Sequence, residues 1–236
     1  MQEALGLLDR AVSEAPDEPD PYLYRALTRV ELGDTKGARA DFDRTLLLRP
    51  DSAMAHYFYG DLLLSAGELD AADLHLRRAL QIDPAYAWAR YRLGDLLRQR
   101  GKLTEAVASY ELSAKEDPSG GGWHSIGDLW LERGDRRRAS EAFEKDLLDH
   151  PECYEARVNV AAVYLRDGDP WRAAEHYAAS LRYHPGDAHA EEGLRGARRT
   201  IALRWLAVGG LPALGVGALL GFLVGRRRAR VSGSNV

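Results

Sequence analysis

Cysteine is nearly absent from this chain of 236 residues, with Cys153 as its single representative. No internal disulfide can form, and a zinc site built on cysteines is excluded. Histidine is present but never as a pair four residues apart or as HExxH, so a zinc hydrolase is not indicated. The one glycine run, Gly120 to Gly122, lacks the Lys-Ser or Lys-Thr that a phosphate loop requires, and no nucleophile elbow occurs. Carboxylates abound, yet none forms a pair set apart from an ordinary solvated helix face. These absences argue against an enzyme, and no catalytic residue, metal or cofactor is expected. No signal peptide is legible after Met1.

Negative charge outweighs positive in the body of the chain. The formal net charge of −4 divides unevenly: residues 188–236 hold eight arginines against Glu191 and Glu192, a net of +6, which leaves −10 for residues 1–187. An acidic body cannot displace phosphate counterions, so nucleic acid is not an expected partner. The basic end suits anionic lipid headgroups.

What the sequence does contain is a period. Gly33, Gly67, Gly101, Gly134 and Gly168 are spaced by 34, 34, 33 and 34 residues. Each is followed by an alanine five residues on (Ala38, Ala72, Ala106, Ala139, Ala173) and a proline seventeen on (Pro50, Pro84, Pro118, Pro151, Pro185). Each unit reads as two helices. The glycine ends the first where positive φ is needed, the alanine admits a close crossing, and the proline stops the second. Bulk recurs at Phe42, Leu76, Tyr110, Phe143 and Tyr177, opposite small residues at Ala26, Gly60, Gly94, Gly127 and Ala161.

This pattern resembles the tetratricopeptide-repeat (TPR) family over five units, 19–52, 53–86, 87–119, 120–153 and 154–187. The resemblance implies an all-α superhelical solenoid of antiparallel helix pairs. Departures are modest: Thr45, Ser113, Asp146 and Ser180 replace a usual alanine, and the PSGGGW junction, one residue short, reads as loose. Residues 1–18 match only the second helix of a unit, and either cap the stack or continue a longer N-terminus. Residues 188–204 read as a capping helix.

The family resemblance also implies that the first helix of each unit lines a concave groove for a protein or peptide partner. Carried onto this sequence, the inward positions are Leu23, Tyr24 and Leu27, then Met54, Tyr57, Phe58 and Asp61, then Trp88, Tyr91, Arg92 and Asp95, then His124 and Asp128, and finally Asn159. The groove is expected to be aromatic and acidic. Asp61, Asp95 and Asp128, one repeat apart, suggest a negative ladder for a basic and hydrophobic segment; pairing with Arg92 and Arg98 is the alternative.

Residues 205–225 carry no charge, and at about 1.5 Å per residue they match a hydrocarbon core of roughly 30 Å. Trp205 at one edge, and Arg226, Arg227, Arg228 and Arg230 in the basic tail 226–236, favour a single C-terminal transmembrane helix over a buried one. Gly209, Ala213, Gly217, Gly221 and Gly225 form a small-residue stripe suited to pairing with a second copy in lipid. Arginines flank both ends of the span, so its orientation stays open; the body would be cytoplasmic if Met1 is the true start. The expected protein is a membrane-anchored TPR adaptor, with a structural subunit of a secretion or envelope assembly as the alternative.

Overall fold

The computed structural model describes residues 1–207, in which there are twelve α-helices and one 3-10 turn. Two units are present, Met1–Pro151 and Glu152–Val236. The first holds α1 (Gln2–Glu14), α2 (Pro19–Glu31), α3 (Thr35–Leu48), α4 (Ala53–Ser65), α5 (Leu69–Ile82), α6 (Ala87–Gln99), α7 (Leu103–Glu116), α8 (Gly122–Glu132) and α9 (Arg136–Asp149). The second holds α10 (Tyr154–Arg166), α11 (Pro170–Tyr183) and α12 (Ala188–Ala207).

Each hairpin turn has a local cause. Gly33, Gly67, Gly101 and Gly134 take φ between 73° and 78°, the left-handed region that a side chain disfavours. This lets the next amide reach back over the last helical turn, as Asp34 N to Arg29 O and Glu68 N to Leu63 O do, both at 2.9 Å. Several helix starts are capped by a short side chain: Asp34 accepts from Gly37 N at 2.9 Å, Asp135 from Arg138 N at 3.1 Å, and Ser52 from Ala55 N at 3.2 Å.

In the first unit α2 pairs with α3, α4 with α5, α6 with α7 and α8 with α9, and each pair packs on the next. The first helices α2, α4 and α6 also touch one another, so they share one layer. The seam within each pair is a small residue under a large one. Ala26 and Phe42 are fully buried, and a methyl at Gly94 would lie 2.6 Å from the Tyr110 ring. Burial of each such Phe or Leu contributes about 1.5–3 kcal/mol.

The junction between α7 and α8, which the sequence reads as loose, is built from two tight turns. Pro118–Gly120 form a 3-10 turn, Asp117 accepts from Ser119 N at 3.0 Å, and Gly121 (φ 72°) turns the chain into α8. The missing residue is absorbed by a helix of 11 residues where the other first helices have 13.

In the second unit Ala190, Leu194 and Ala197 of α12 bury one stripe against α10 and α11, around Ala161, Ala173 and Tyr177. Gly193 is needed there, because a methyl would lie 2.2 Å from the Tyr177 ring. Among the described residues no helix is long and apolar enough to cross a membrane. The first three residues of the expected span, 205–207, continue α12 past the expected cap 188–204; the rest of the span lies outside the described residues, as do Gly209, Ala213, Gly217, Gly221, Gly225 and the basic tail.

Candidate functional site

Three positional files along the first helices of the first unit carry the expected ligand residues. The 34-residue register places Tyr24, Phe58 and Arg92 in one file, Leu23, Tyr57 and Tyr91 in a second, and Leu27, Asp61 and Asp95 in a third. Leu23 is buried, and Leu27 packs against the core rather than standing open. Tyr24 is 55% exposed, Met54 45% and Trp88 46%, so α2, α4 and α6 each present a large side chain to solvent from one of these positions.

Between Met54 and Trp88 the chemistry is ionic. Arg92 Nε lies 2.7 Å from Asp61 Oδ1, an ion pair set off the hydrogen-bond line, and Arg92 Nη1 donates to Asp95 Oδ2 at 3.1 Å. The phenol of Tyr110 donates to the other Asp95 oxygen at 2.7 Å. Burial opposes the Arg92 charge, but Asp61 and Asp95 outweigh it and hold its pKa above the ordinary arginine value. The alternative of pairing applies to two of the three aspartates: Asp61 and Asp95 share the Arg92 guanidinium, while Arg98 turns to Glu132. The cluster keeps one negative charge in excess.

Aromatic rings wall this cluster. Tyr57 packs on Phe58 at 4.8 Å and on Tyr86 at 5.0 Å between ring centroids. Burial, with Asp61 adding to it, raises the Tyr57 pKa, and burial pushes Tyr86 up to about 12, so both phenols stay neutral donors at physiological pH. Tyr91 stands edge-on to Trp88 at 6.4 Å and exchanges a hydrogen bond with Ser125 Oγ at 2.8 Å, which ties α6 to α8.

His124 on α8 sits between two carboxylates, 3.3 Å from Asp146 and 3.7 Å from Asp128. Asn159 lies half-buried on α10 in the second unit. The structure thus gathers Tyr57, Phe58, Asp61, Trp88, Tyr91, Arg92 and Asp95 around the α4–α6 contact, and leaves Tyr24 on the outer flank. Sequence reasoning missed Tyr86 and Ser125, which no motif singles out. It identified Tyr110 as seam bulk but not as the donor that fixes Asp95.

A family model described as tetratricopeptide repeat matches residues 23–87 and again 125–193, and a second of the same description matches 63–125. No curated protein matches the sequence significantly. Among solved structures, the type IV pilus biogenesis factor PilW is 20% identical with a TM-score of 0.68, over 82% of this chain and 90% of that one. YrrB, a TPR protein with an unusual peptide-binding site, is 18% identical with a TM-score of 0.58, over 80% and 97%. The Cut9–Hcn1 hetero-tetramer of the APC/C is 17% identical with a TM-score of 0.62 over 83% of this chain, which spans only 39% of the chain it matches there. At these identities the likeness is one of fold. The family models together run from residue 23 to residue 193, more than half of the sequence, and the chain belongs to the tetratricopeptide-repeat family of protein-interaction scaffolds.

Proposed function

We propose that this chain is a membrane-anchored TPR adaptor that holds a partner segment on the first-helix face of its first unit. The observation that carries the reading is the juxtaposition of solvent-open Trp88 with the Asp61–Arg92–Asp95 cluster. An indole face and one uncompensated carboxylate suit a segment that sets a lysine or arginine among apolar residues, through burial and cation–π contact. Arg92 serves as the fixed counter-charge, and its two aspartates exclude a guest that brings further carboxylates.

A peptide array probed with the full chain in detergent tests this. Enrichment of apolar peptides bearing Lys or Arg is expected, with loss of signal in Trp88→Ala and weaker signal in Asp61→Asn. Enrichment of acidic C-terminal peptides, or undiminished binding by both variants, would overturn it.

The anchor rests on the uncharged stretch 205–225 and its flanking arginines. The expected result is retention in the membrane fraction after alkaline washing; recovery as a detergent-free monomer contradicts it. Pairing of two copies through the Gly209-to-Gly225 stripe belongs to the same reading. It should weaken in a Gly217→Ile, Gly221→Ile variant followed by crosslinking in membranes.

A further inference from the structure

The capping helix α12 changes character along its length. Ala190, Leu194 and Ala197 fill the seam of the second unit, Ile201 is half-buried, and from Leu203 onward every described residue is exposed. Those exposed residues are large and apolar on several sides of the helix: Leu203 is 57% open, Trp205 49% and Leu206 65%. Water does not favour such a turn, and an apolar surface all round a helix marks contact with something else.

A second element extends this surface. Trp171, in the first turn of α11, is 47% exposed, and the guanidinium of Arg204 lies over its ring at 5.4 Å from the centroid. A methyl at Gly168, in the α10–α11 turn, would lie 3.4 Å from Nη2 of the same Arg204. The end of α12 is thereby pinned to the α10–α11 turn, where the Arg204 guanidinium meets the Trp171 ring and Leu203, Trp205 and Leu206 stand open around the helix. Arg198 and Arg199, one turn earlier on α12, make no ion pair with any described carboxylate, and neither does Arg204.

We infer that this face of the second unit rests on the headgroup layer of an anionic bilayer. Three features select lipid over a protein partner. Indoles and arginines interleaved with leucines are the residues that sit where apolar and wet layers meet. The unpaired cations match a negative surface rather than a neutral one. In the sequence these residues run directly into the uncharged stretch 208–225, so on the membrane-anchored reading the patch stands at the point of entry. The inference rests on the membrane-anchored reading and adds to it that the last repeat lies against the membrane. α12 is one helix from Ala188 through Ala207, which fixes Trp205 relative to Trp171.

The full chain in vesicles tests this. In a Cys153→Ser background, Trp171→Cys or Leu206→Cys carries an environment-sensitive NBD label, and Leu112→Cys, exposed in the first unit, serves as the reference. In phosphatidylcholine vesicles containing about 30% phosphatidylglycerol, quenching of the 171 and 206 labels by aqueous iodide should fall about threefold relative to the reference. Lipid doxyl groups near the headgroups should quench them instead. Arg199→Glu, Arg204→Glu should restore iodide access at position 171 while the chain stays vesicle-bound. Vesicle-bound chain whose 171 label stays as open to iodide as the reference overturns the inference and leaves the anchor standing. So does protection without doxyl quenching, which would mean a protein contact, or protection equal in pure phosphatidylcholine. Failure of the chain to stay with vesicles after alkaline washing overturns anchor and inference together.

Discussion

The first and fourth repeats fill the same seam position with opposite chemistry. In the fourth, Ile126 faces Ala142 and both are buried. One hundred and one residues earlier in the register, Arg25 faces Asp41. Asp41 is almost fully buried and accepts from Arg25 at 2.6 and 2.9 Å and from Arg29 at 2.6 Å, while Arg25 also donates to Asp9 on α1 at 2.9 Å. The second repeat is intermediate, with Tyr59 and His75 packed at 4.4 Å between ring centroids. One layer deeper the repeats agree: Ala26 under Phe42, Gly60 under Leu76, Gly94 under Tyr110 and Gly127 under Phe143. The size rule at the crossing specifies the helix pair, and the neighbouring position tolerates any chemistry whose polar groups are satisfied.

The ionic version has a local reason. α1 has no buried residue, so it has little apolar area with which to hold the first repeat. Asp9 supplies a charged contact instead. The comparison breaks most severely at Asp41. Asp41→Ala leaves two guanidinium groups facing a closed seam and should cost about 3 kcal/mol, read as a lower urea midpoint by circular dichroism. Ser109→Ala, on the same second-helix file in the third repeat, should change little. The double variant Arg25→Met, Asp41→Leu should recover most of the loss, because a packed apolar pair replaces a buried ion pair at small cost. No recovery would mean that α1 needs Arg25 specifically.

The size rule breaks next. A methyl at Gly127 would lie 2.5 Å from a Phe143 ring carbon, inside any real contact. Gly127→Ala should therefore cost about 2 kcal/mol through overpacking, and Phe143→Leu in the same chain should relieve part of it, since leucine is what the second repeat uses. Equal instability of the single and double variants would show that the crossing distance is set elsewhere.

The sequence disclosed what is enforced locally and hid what is enforced across helices. A turn glycine at 34-residue spacing can be read because only positive φ explains it, and Gly33, Gly67 and Gly101 take φ of 78°, 78° and 73°. The departures from alanine were visible as letters but not as bonds. Thr45 Oγ1 donates to Asp41 O at 2.8 Å and Ser113 Oγ to Ala87 O at 2.9 Å, so these two hydroxyls are satisfied by main chain, whereas Asp146 meets the His124 ring at 3.3 Å. The Asp61–Arg92 pair spans 31 residues between neighbouring first helices, and no i,i+3 or i,i+4 rule announces it. Sequence reasoning could list Arg92 as a partner, yet which aspartates it held depended on the helix spacing. The last turn of α12 was legible as the start of an apolar stretch, whereas its contact with Trp171 through Arg204 was not.

The mildest test of the seam comparison is pH, because the second repeat sets a pair of contacting histidines beside that position. His56 Nε2 lies 3.1 Å from the Pro50 carbonyl oxygen, so that nitrogen carries the proton. The neutral ring then offers only a lone pair at Nδ1, which lies 3.0 Å from His75 Nδ1, and His75 must donate. Two protonated rings would set two donors against each other. Burial lowers the pKa of both, helped at His56 by Arg78 and at His75 by His56; the Pro50 carbonyl and Asp43, respectively, oppose it. A folded-state pKa below the ordinary histidine value means that the unfolded chain binds more protons as the pH falls. The pair's contribution is therefore complete above about pH 6.5 and is lost progressively below it. The ring–ring hydrogen bond at stake is worth about 1 kcal/mol. The parent should lose more stability between neutral pH and pH 5 than His75→Phe does, with carboxylate effects common to both cancelling in the difference. Parallel stability curves for the two proteins would mean that the rings shed their contact without cost, and that the second repeat's seam is held by Tyr59 on Phe42, whose rings stack at 5.2 Å.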